Sequence, residues 1–226
     1  MKKNYTKKVC VTEEWHKLRG IGGSDASAIL GKSKWGTPSD IYDRLVNGNI
    51  KHKPQNERMR IGTLAEEHIR KLYELYHKDY KIISPPKTKH WLFIRKDYPL
   101  ITCTPDGIVK KQDGLYGLEI KDVELYKKED KDAWESGILP EQYFYQVLHY
   151  MVTINDLNGV ILVANLHYMK YDILTNKYIL DYVVMKEYIL KRKDCDKSIE
   201  YLENKEIDFI NNNVKTKTRP KIIIKL

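Results

Sequence analysis

The apolar positions of this chain change period several times, and each change marks an element. Residues 12–19 predict a short helix with Thr12 as N-cap and Trp15 and Leu18 on one face. The segment Arg19-Gly20-Ile21-Gly22-Gly23-Ser24-Asp25-Ala26 is a glycine-rich turn into a helix over 25–30, with Ser24 as candidate N-cap and Gly31 as stop. Thr37-Pro38 opens a third helix that ends near Asn47-Gly48, and Lys51 to Asn56 is a polar loop. From Glu57 to Lys78 a period of 3.6 predicts a long helix. Its apolar stripe is Ile61, Leu64, Ala65, Ile69, Leu72, Leu75 and Tyr76, with Glu66 at the stripe's border.

Pro85-Pro86 ends the helical pattern, and candidate strands follow at 91–95, 100–104, 107–111 and 115–121. Asp132 to Ile154 predicts helix interrupted by Gly137 and Pro140. Asn158-Gly159 is a turn into the apolar run Val160–Leu166, residues 178–190 include another strand, and a last helix spans 194–212. This order fits one mixed β-sheet flanked by helices, an α/β (α+β) fold. Without a clean linker the expectation is a single domain over 1–226, with its core at 12–212 and a basic tail at 213–226 that carries Lys215, Lys217, Arg219, Lys221 and Lys225.

Composition narrows the classes. The 226 residues carry a net charge of +9, which favours a polyanionic partner, although lysine-rich proteins of AT-rich genomes are basic for other reasons. Cys10, Cys103 and Cys195 lie far apart, without metal-ligand spacing, so the expectation is a reducing, cytoplasmic setting rather than a disulfide scaffold. No apolar run approaches the ~18 residues of a membrane span, and the basic start Met1-Lys2-Lys3-Asn4-Tyr5 has no apolar stretch behind it, so neither a membrane association nor a signal peptide is expected.

The chemistry concentrates in Thr104-Pro105-Asp106-Gly107 and Gly117-Leu118-Glu119-Ile120-Lys121. On a strand Glu119 and Lys121 share a face, while Leu118 and Ile120 share the other. If the two strands pair, Asp106 and Glu119 lie within reach of one hard cation, Mg²⁺ or Mn²⁺ rather than zinc, and the Ile120 carbonyl can join them. Lys121 can then orient a water or stabilise charge on a phosphoryl oxygen. The same pattern also suits a solvent-exposed Glu–Lys pair beside a turn aspartate. Glu66, at the edge of its helix stripe, can reach over the sheet to a metal-bound water or remain solvated. The Arg19–Ser24 turn can hold a phosphate with backbone N–H groups, a guanidinium and a hydroxyl, or be a capped turn without a ligand. Tyr143 and Gln146 share a helix face, and Gln146 among apolar neighbours wants a partner, whether a site group or ordinary packing. His68, His149 and His167 form no metal-spaced pair and are expected to be structural.

Taken in order, five stretches resemble the lambda-exonuclease-type nucleases, also called the YqaJ-like viral recombinase family, of the restriction-endonuclease-like superfamily. They are Trp15 through Asp25, Gly62-Thr63-Leu64-Ala65-Glu66, Thr104-Pro105-Asp106-Gly107, Leu118-Glu119-Ile120-Lys121, and Pro140 with Tyr143-Phe144-Tyr145-Gln146. The ending from Arg192-Lys193-Asp194 to Phe209 is similar to that family's terminal helix. The resemblance implies a restriction-endonuclease-like core with Asp106, Glu119 and the Ile120 carbonyl as metal ligands, Glu66 completing the site, Lys121 as catalytic lysine and Gln146 beside it. It implies that Arg19 and Ser24 hold a DNA 5′-phosphate, with Tyr143 as a further substrate contact. It implies a Mg²⁺-dependent 5′→3′ exonuclease on double-stranded DNA, with two ions per site, working as a homotrimer and leaving 3′ single strands to an annealing protein in phage or prophage recombination. An endonuclease or nickase on the same core, and a DNA-binding module without catalysis, are the alternatives. The chain departs from the family pattern at Asp122, where a small or neutral residue is usual, and at Leu148, where a second glutamine is often found. Asp122 lies one step off the Glu119/Lys121 face and is expected to point outward.

Overall fold

A computed structural model describes residues 2–48 and 57–221. The expected polar loop at Lys51 to Asn56, like Lys225 of the tail, lies outside the described residues. In chain order the elements are β1 (Tyr5–Cys10), α1 (Thr12–Leu18), α2 (Gly23–Ile29), α3 (Pro38–Val46), α4 (Glu57–Tyr76), β2 (Lys81–Ile83), β3 (His90–Arg95), β4 (Thr102–Cys103), β5 (Gly107–Lys111), β6 (Gly114–Leu125), α5 (Lys128–Glu135), α6 (Glu141–Thr153), β7 (Leu157–Asp172), β8 (Lys177–Lys191) and α7 (Arg192–Phe209). A π-helical turn, Ile210–Val214, prolongs α7.

The central sheet is mixed, as expected, and runs in the order β2-β5-β6-β7-β8, whereas the expected strands near 91–95 and 100–104 fall in a separate sheet. Only β6 and β7 run parallel, joined by the α5–α6 crossover that a parallel pair requires. A second sheet, β1-β3-β4, is antiparallel throughout. Its edge strand β1 escapes sequence inspection because Thr6, Lys7, Lys8 and Val9 are exposed and only Tyr5 and Cys10 turn inward. Ile21 bridges to Ile101 and links the glycine-rich turn to this smaller sheet.

Alternation along β6 divides the core. Tyr116, Leu118 and Ile120 join Ile161 and Val163 of β7 under Ile69 and Tyr73 of α4. On the opposite face, Val160, Leu162, Ala164 and Leu166 of β7 pack into the larger core with α2, α6 and α7. This period of two in burial on both strands fixes their register, since a one-residue slip would exchange the two cores.

Several local expectations change. Thr12 is the first residue of α1, whose N-cap is Val11, and its hydroxyl meets His90 at 3.2 Å. The N-cap of α2 is Gly22, not Ser24; its N–H donates to Asp25 Oδ2 at 2.8 Å. The 132–154 stretch is interrupted at Gly137, φ +80°, and Pro140 as expected, but its first helix, α5, already begins at Lys128. Asn158-Gly159 lies inside β7 rather than in a turn. On α4, Ile61, Leu64, Leu72, Leu75 and Tyr76 are exposed, and the buried side chains are Ile69 and Tyr73. The 3.6 period allowed overlapping stripes, and the sheet accommodates only the narrow one that Tyr73 anchors by its hydroxyl to Glu187 of β8. Nor is the basic end detached: the Lys217 carbonyl accepts from Tyr42 at 2.7 Å, and Arg219 pairs with Asp43 at 2.7 Å, both on α3.

His149 is structural, as expected, and holds α6 to α7 and β4. It is fully buried, with Nδ1 2.6 Å from Glu206 Oε1 and Nε2 2.8 Å from the Thr102 carbonyl oxygen. Both ring nitrogens face acceptors, so the ring is an imidazolium. Burial pushes its pKa down, but the Glu206 charge and the two hydrogen bonds outweigh burial and raise it above the ordinary value. The stability this pair contributes is therefore complete below the free-histidine value and is lost as pH rises through the raised one. Urea midpoints measured across neutral to alkaline pH are expected to fall through this window. In Glu206→Ala that slope disappears, and stability drops by about 3–5 kcal/mol.

Candidate active site

Asp106 immediately precedes β5, and its N–H donates to the Leu118 carbonyl at 2.9 Å, so the two strands pair as the site requires. Its Oδ2 accepts from the Ile120 N–H at 2.8 Å. It is thus the Ile120 N–H that engages Asp106, while the Ile120 side chain packs into the core under α4. Glu119 is 3% exposed, which rules out the solvent-exposed Glu–Lys pair. Lys121 Nζ lies 2.5 Å from Glu119 Oε1, Gln146 Nε2 donates to the same oxygen at 2.5 Å, and the Tyr150 hydroxyl donates to Oε2. Tyr150 is 3.3 Å from the Thr104 carbonyl oxygen, and Tyr143 lies with its ring centroid 5.2 Å from Lys121 Nζ.

Electrostatics assigns protonation states. Burial, then the charges of Glu119 and Glu66, raise the Asp106 carboxyl well above the carboxylate range. Glu66 is raised by burial and further by Glu119, against the pull of Arg70, which donates to its Oε1 at 2.7 Å. Burial would lower Lys121, but Glu119 and Asp106 outweigh it and the net shift is upward. Lys121 is therefore an ammonium, suited to stabilising negative charge rather than accepting a proton. Burial and the same two carboxylates raise Tyr150 well above its ordinary value, so the phenol keeps its proton and donates it.

The Arg19–Ser24 turn is brought to the same place by two contacts. Trp15 Nε1 donates to Thr104 Oγ1 at 2.9 Å, two residues before Asp106, and the Arg19 guanidinium lies 4.9 Å from the Trp15 ring centroid. Gly23 sits so close to α6 that a Cβ there would lie 2.9 Å from Gln146 Cγ and 2.9 Å from Tyr150 Cε1. Arg19 Nη2 donates to Ser24 Oγ at 3.0 Å, and Ser24 is exposed. Arg44 clamps the turn from α3, donating to the Gly20 carbonyl at 2.9 Å and pairing with Asp25 at 2.5 Å.

The structure thus brings together Asp106, Glu119, Lys121, Gln146, Tyr143 and Glu66, and sets Arg19 and Ser24 against the same helix. Sequence inspection missed Arg44 and Arg70, and assigned Tyr150 no role at the site although it stands four residues after Gln146 and so on its face. Arg44 had no signal, because its partners lie 19 and 24 positions away. The two departures are harmless to this geometry. Leu148 is fully buried on another side of α6, and Asp122 is not outward but partly buried, accepting from Asn165 Nδ2 at 2.7 Å and facing His167 Nε2 at 2.7 Å.

Among the described residues no group of three or more His, Cys, Asp or Glu side chains is arranged to hold a metal ion. The donor chemistry nevertheless suits a hard cation: three carboxylates with oxygen donors only, of which Asp106 and Glu66 are raised by burial and by the charge of Glu119. Glu119 is meanwhile occupied by Lys121, Gln146 and Tyr150.

A mixed sheet flanked by helices, with Asp106 immediately before β5 and Glu119 and Lys121 on the adjacent β6, defines a restriction-endonuclease-like core. Within that class the chain belongs to the YqaJ-like viral recombinase family, whose domain model matches residues 14–156. The uncharacterized protein YqaJ of Bacillus subtilis (strain 168) is 30% identical over 141 residues, which cover 62% of this chain and 41% of that protein. The chain thus matches less than half the length of that relative. Among solved structures, an alkaline exonuclease (LHK-Exo) from Laribacter hongkongensis superposes with TM-score 0.58 over 92% of this chain and 97% of that one, at 16% identity. LHK-Exo in complex with dAMP gives TM-score 0.56 over the same shares, at 17% identity. At these identities the likeness is one of fold. None of the helices among the described residues is long and apolar enough to cross a membrane.

Gly23 sets the spacing between turn and site. Gly23→Ala is expected to destabilise by about 1–3 kcal/mol through overpacking against α6. Gly62→Ala on α4, where an added Cβ meets nothing within 4 Å, is expected to stabilise by about 0.4–1 kcal/mol. Urea unfolding of both variants checks the contrast.

Proposed function

We propose that this protein is a Mg²⁺-dependent 5′→3′ exonuclease of double-stranded DNA that produces 3′ single strands for recombination. The observation that carries this reading is the convergence of Lys121, Gln146 and Tyr150 on buried Glu119, beside Asp106 on the adjacent strand. Family membership and the fold shared with an alkaline exonuclease support it.

Asp106, Glu119, the Ile120 carbonyl and, through water, Glu66 would hold Mg²⁺ or Mn²⁺, two ions per site. Bound there, the ions would supply an activated water and charge neutralisation at the scissile phosphate. Lys121, held as an ammonium, neutralises charge that develops on the phosphoryl oxygens. Gln146 and Tyr150 orient Glu119 by donating to its two oxygens, so that its lone pairs point in fixed directions. Arg19 and Ser24 hold the 5′-phosphate and set the distance from the strand end to the cut bond. Tyr143 lies beside the Lys121 ammonium, where the substrate backbone would pass. The basic surface attracts duplex DNA without reading sequence. A closed homotrimer around the duplex would make digestion processive, and an annealing protein in the host cytoplasm would take up the product.

With Mg²⁺, linear 5′-phosphorylated duplex is expected to yield mononucleotides while a covalently closed circle survives, and EDTA is expected to stop digestion. Cutting of the circle would instead establish an endonuclease. Lys121→Ala is expected to lower kcat by about 10²–10³-fold, the scale of losing one electrostatic stabiliser. Arg19→Ala is expected to lose the preference for 5′-phosphate over 5′-hydroxyl ends in the same digestion assay.

A further inference from the structure

Trp35 is 81% exposed, whereas Trp91 and Trp134 are buried and Trp15 is half-buried. An indole left in water forgoes the largest apolar burial a side chain offers. Nothing about its loop is slack. Gly31, at φ +67°, ends α2, and the Lys32 N–H donates to the Ser27 carbonyl at 2.8 Å. Lys32 Nζ pairs with Glu141 of α6 at 2.7 Å. The Trp35 N–H donates to Ser33 Oγ at 3.0 Å, and Thr37 opens α3 with a capping box to Asp40. The loop is tied at both ends and to the helix that bears Gln146, and it holds an aromatic ring out at the surface.

The ring lines a cavity of about 340 Å³ whose walls include Ser24 and Asp25 of the glycine-rich turn and Asp40, Asp43 and Arg44 of α3. The acidic walls are already partnered: Asp25 with Arg44 at 2.5 Å, Asp43 with Arg219 at 2.7 Å, and Asp40 with the Thr37 N–H at 2.9 Å. Such a cavity has no excess positive charge for a phosphate. It suits a flat, uncharged group with hydrogen-bonding edges, and its size is at the small end of ligand clefts, roughly 300–1,000 Å³. The phosphate-binding groups stand at its lip, where Ser24 is exposed and Arg19 donates to it. A group whose phosphate is at Arg19 and Ser24, and whose flat portion enters this cavity, is a 5′-nucleotide.

We propose that Trp35 is a stacking platform for the base of the 5′-terminal nucleotide, and that the cavity between Ser24, Trp35 and Arg44 receives that base. The inference rests on the reading of Arg19 and Ser24 as the 5′-phosphate site. Stacking tolerates every base, because each has a π-face, so the platform adds affinity for the strand end without sequence preference.

The test uses intrinsic tryptophan fluorescence with Ca²⁺ in place of Mg²⁺. Titration with a 5′-phosphorylated duplex is expected to quench the signal. The same duplex with an abasic first nucleotide is expected to leave the signal unchanged and to bind about 5–150-fold more weakly, the range of one lost base stack. Trp35→Leu is expected to lose the quench and the same factor in affinity, and Trp35→Tyr to recover most of the affinity. If wild type degrades the phosphorylated duplex with Mg²⁺ but Trp35→Leu and the abasic end bind as tightly as their controls, the stacking role is overturned while the nuclease reading stands. If wild type neither binds nor degrades the duplex, both fall together.

Discussion

Glu119 is a charged group in the interior, and the rest of the site is arranged around satisfying it. A buried carboxylate is tolerated only when paired and hydrogen-bonded. Lys121 comes from the same face of the same strand, but Gln146 and Tyr150 must come from elsewhere, and both stand on α6. That requirement presses α6 onto β6. It also accounts for the crossover, since the chain leaves β6, runs through α5 and α6 over the sheet, and returns as the parallel strand β7. The geometry of the site and the topology are thus linked through one carboxylate.

The consequence extends outward through α6. The same stretch of α6 carries His149, whose imidazolium ties the helix to Glu206 of α7 and to the Thr102 carbonyl of β4. Gly23 lets α2 approach the Gln146–Tyr150 ledge more closely than any side chain would permit. Through that contact the Arg19–Ser24 turn, far away in sequence from Glu119, becomes a neighbour of the carboxylates. A helix that holds Glu119, a buried ion pair and the Arg19–Ser24 turn leaves little freedom to the spacing among them.

Much of this was legible in the chain. The period of two around Glu119-Ile120-Lys121 put the two charges on one face, and the structure keeps them there with Leu118 and Ile120 on the other. Gly31 and Thr37-Pro38 marked their helix boundaries correctly. Other readings failed in whole or in part for identifiable reasons. The α4 stripe was right only in part, because periodicity names a set of compatible faces and only the sheet opposite selects one; Ile69 and Ala65 of the stripe pack inward beside Tyr73, and Leu64 and Leu75 remain in solvent. Strand β1 was invisible because an edge strand with four exposed residues carries no alternation. Ser24 gave way to Gly22 as N-cap because Asp25, three residues after Gly22, supplies the capping carboxylate.

By itself the sequence determined the local terms: strand faces, turn positions, and which residue types were available for phosphate and metal chemistry. These depend on neighbours a few positions apart, and side-chain periodicity carries them. The tertiary structure decided which of those residues meet. That Tyr150 and Gln146 close on Glu119, that Arg44 clamps Asp25 and Gly20, and that Trp35 overlooks the cavity beside Ser24 are contacts between elements. They arise because a buried charge must find partners and a close-packed core allows few ways to bring them, a constraint that no local window of residues contains.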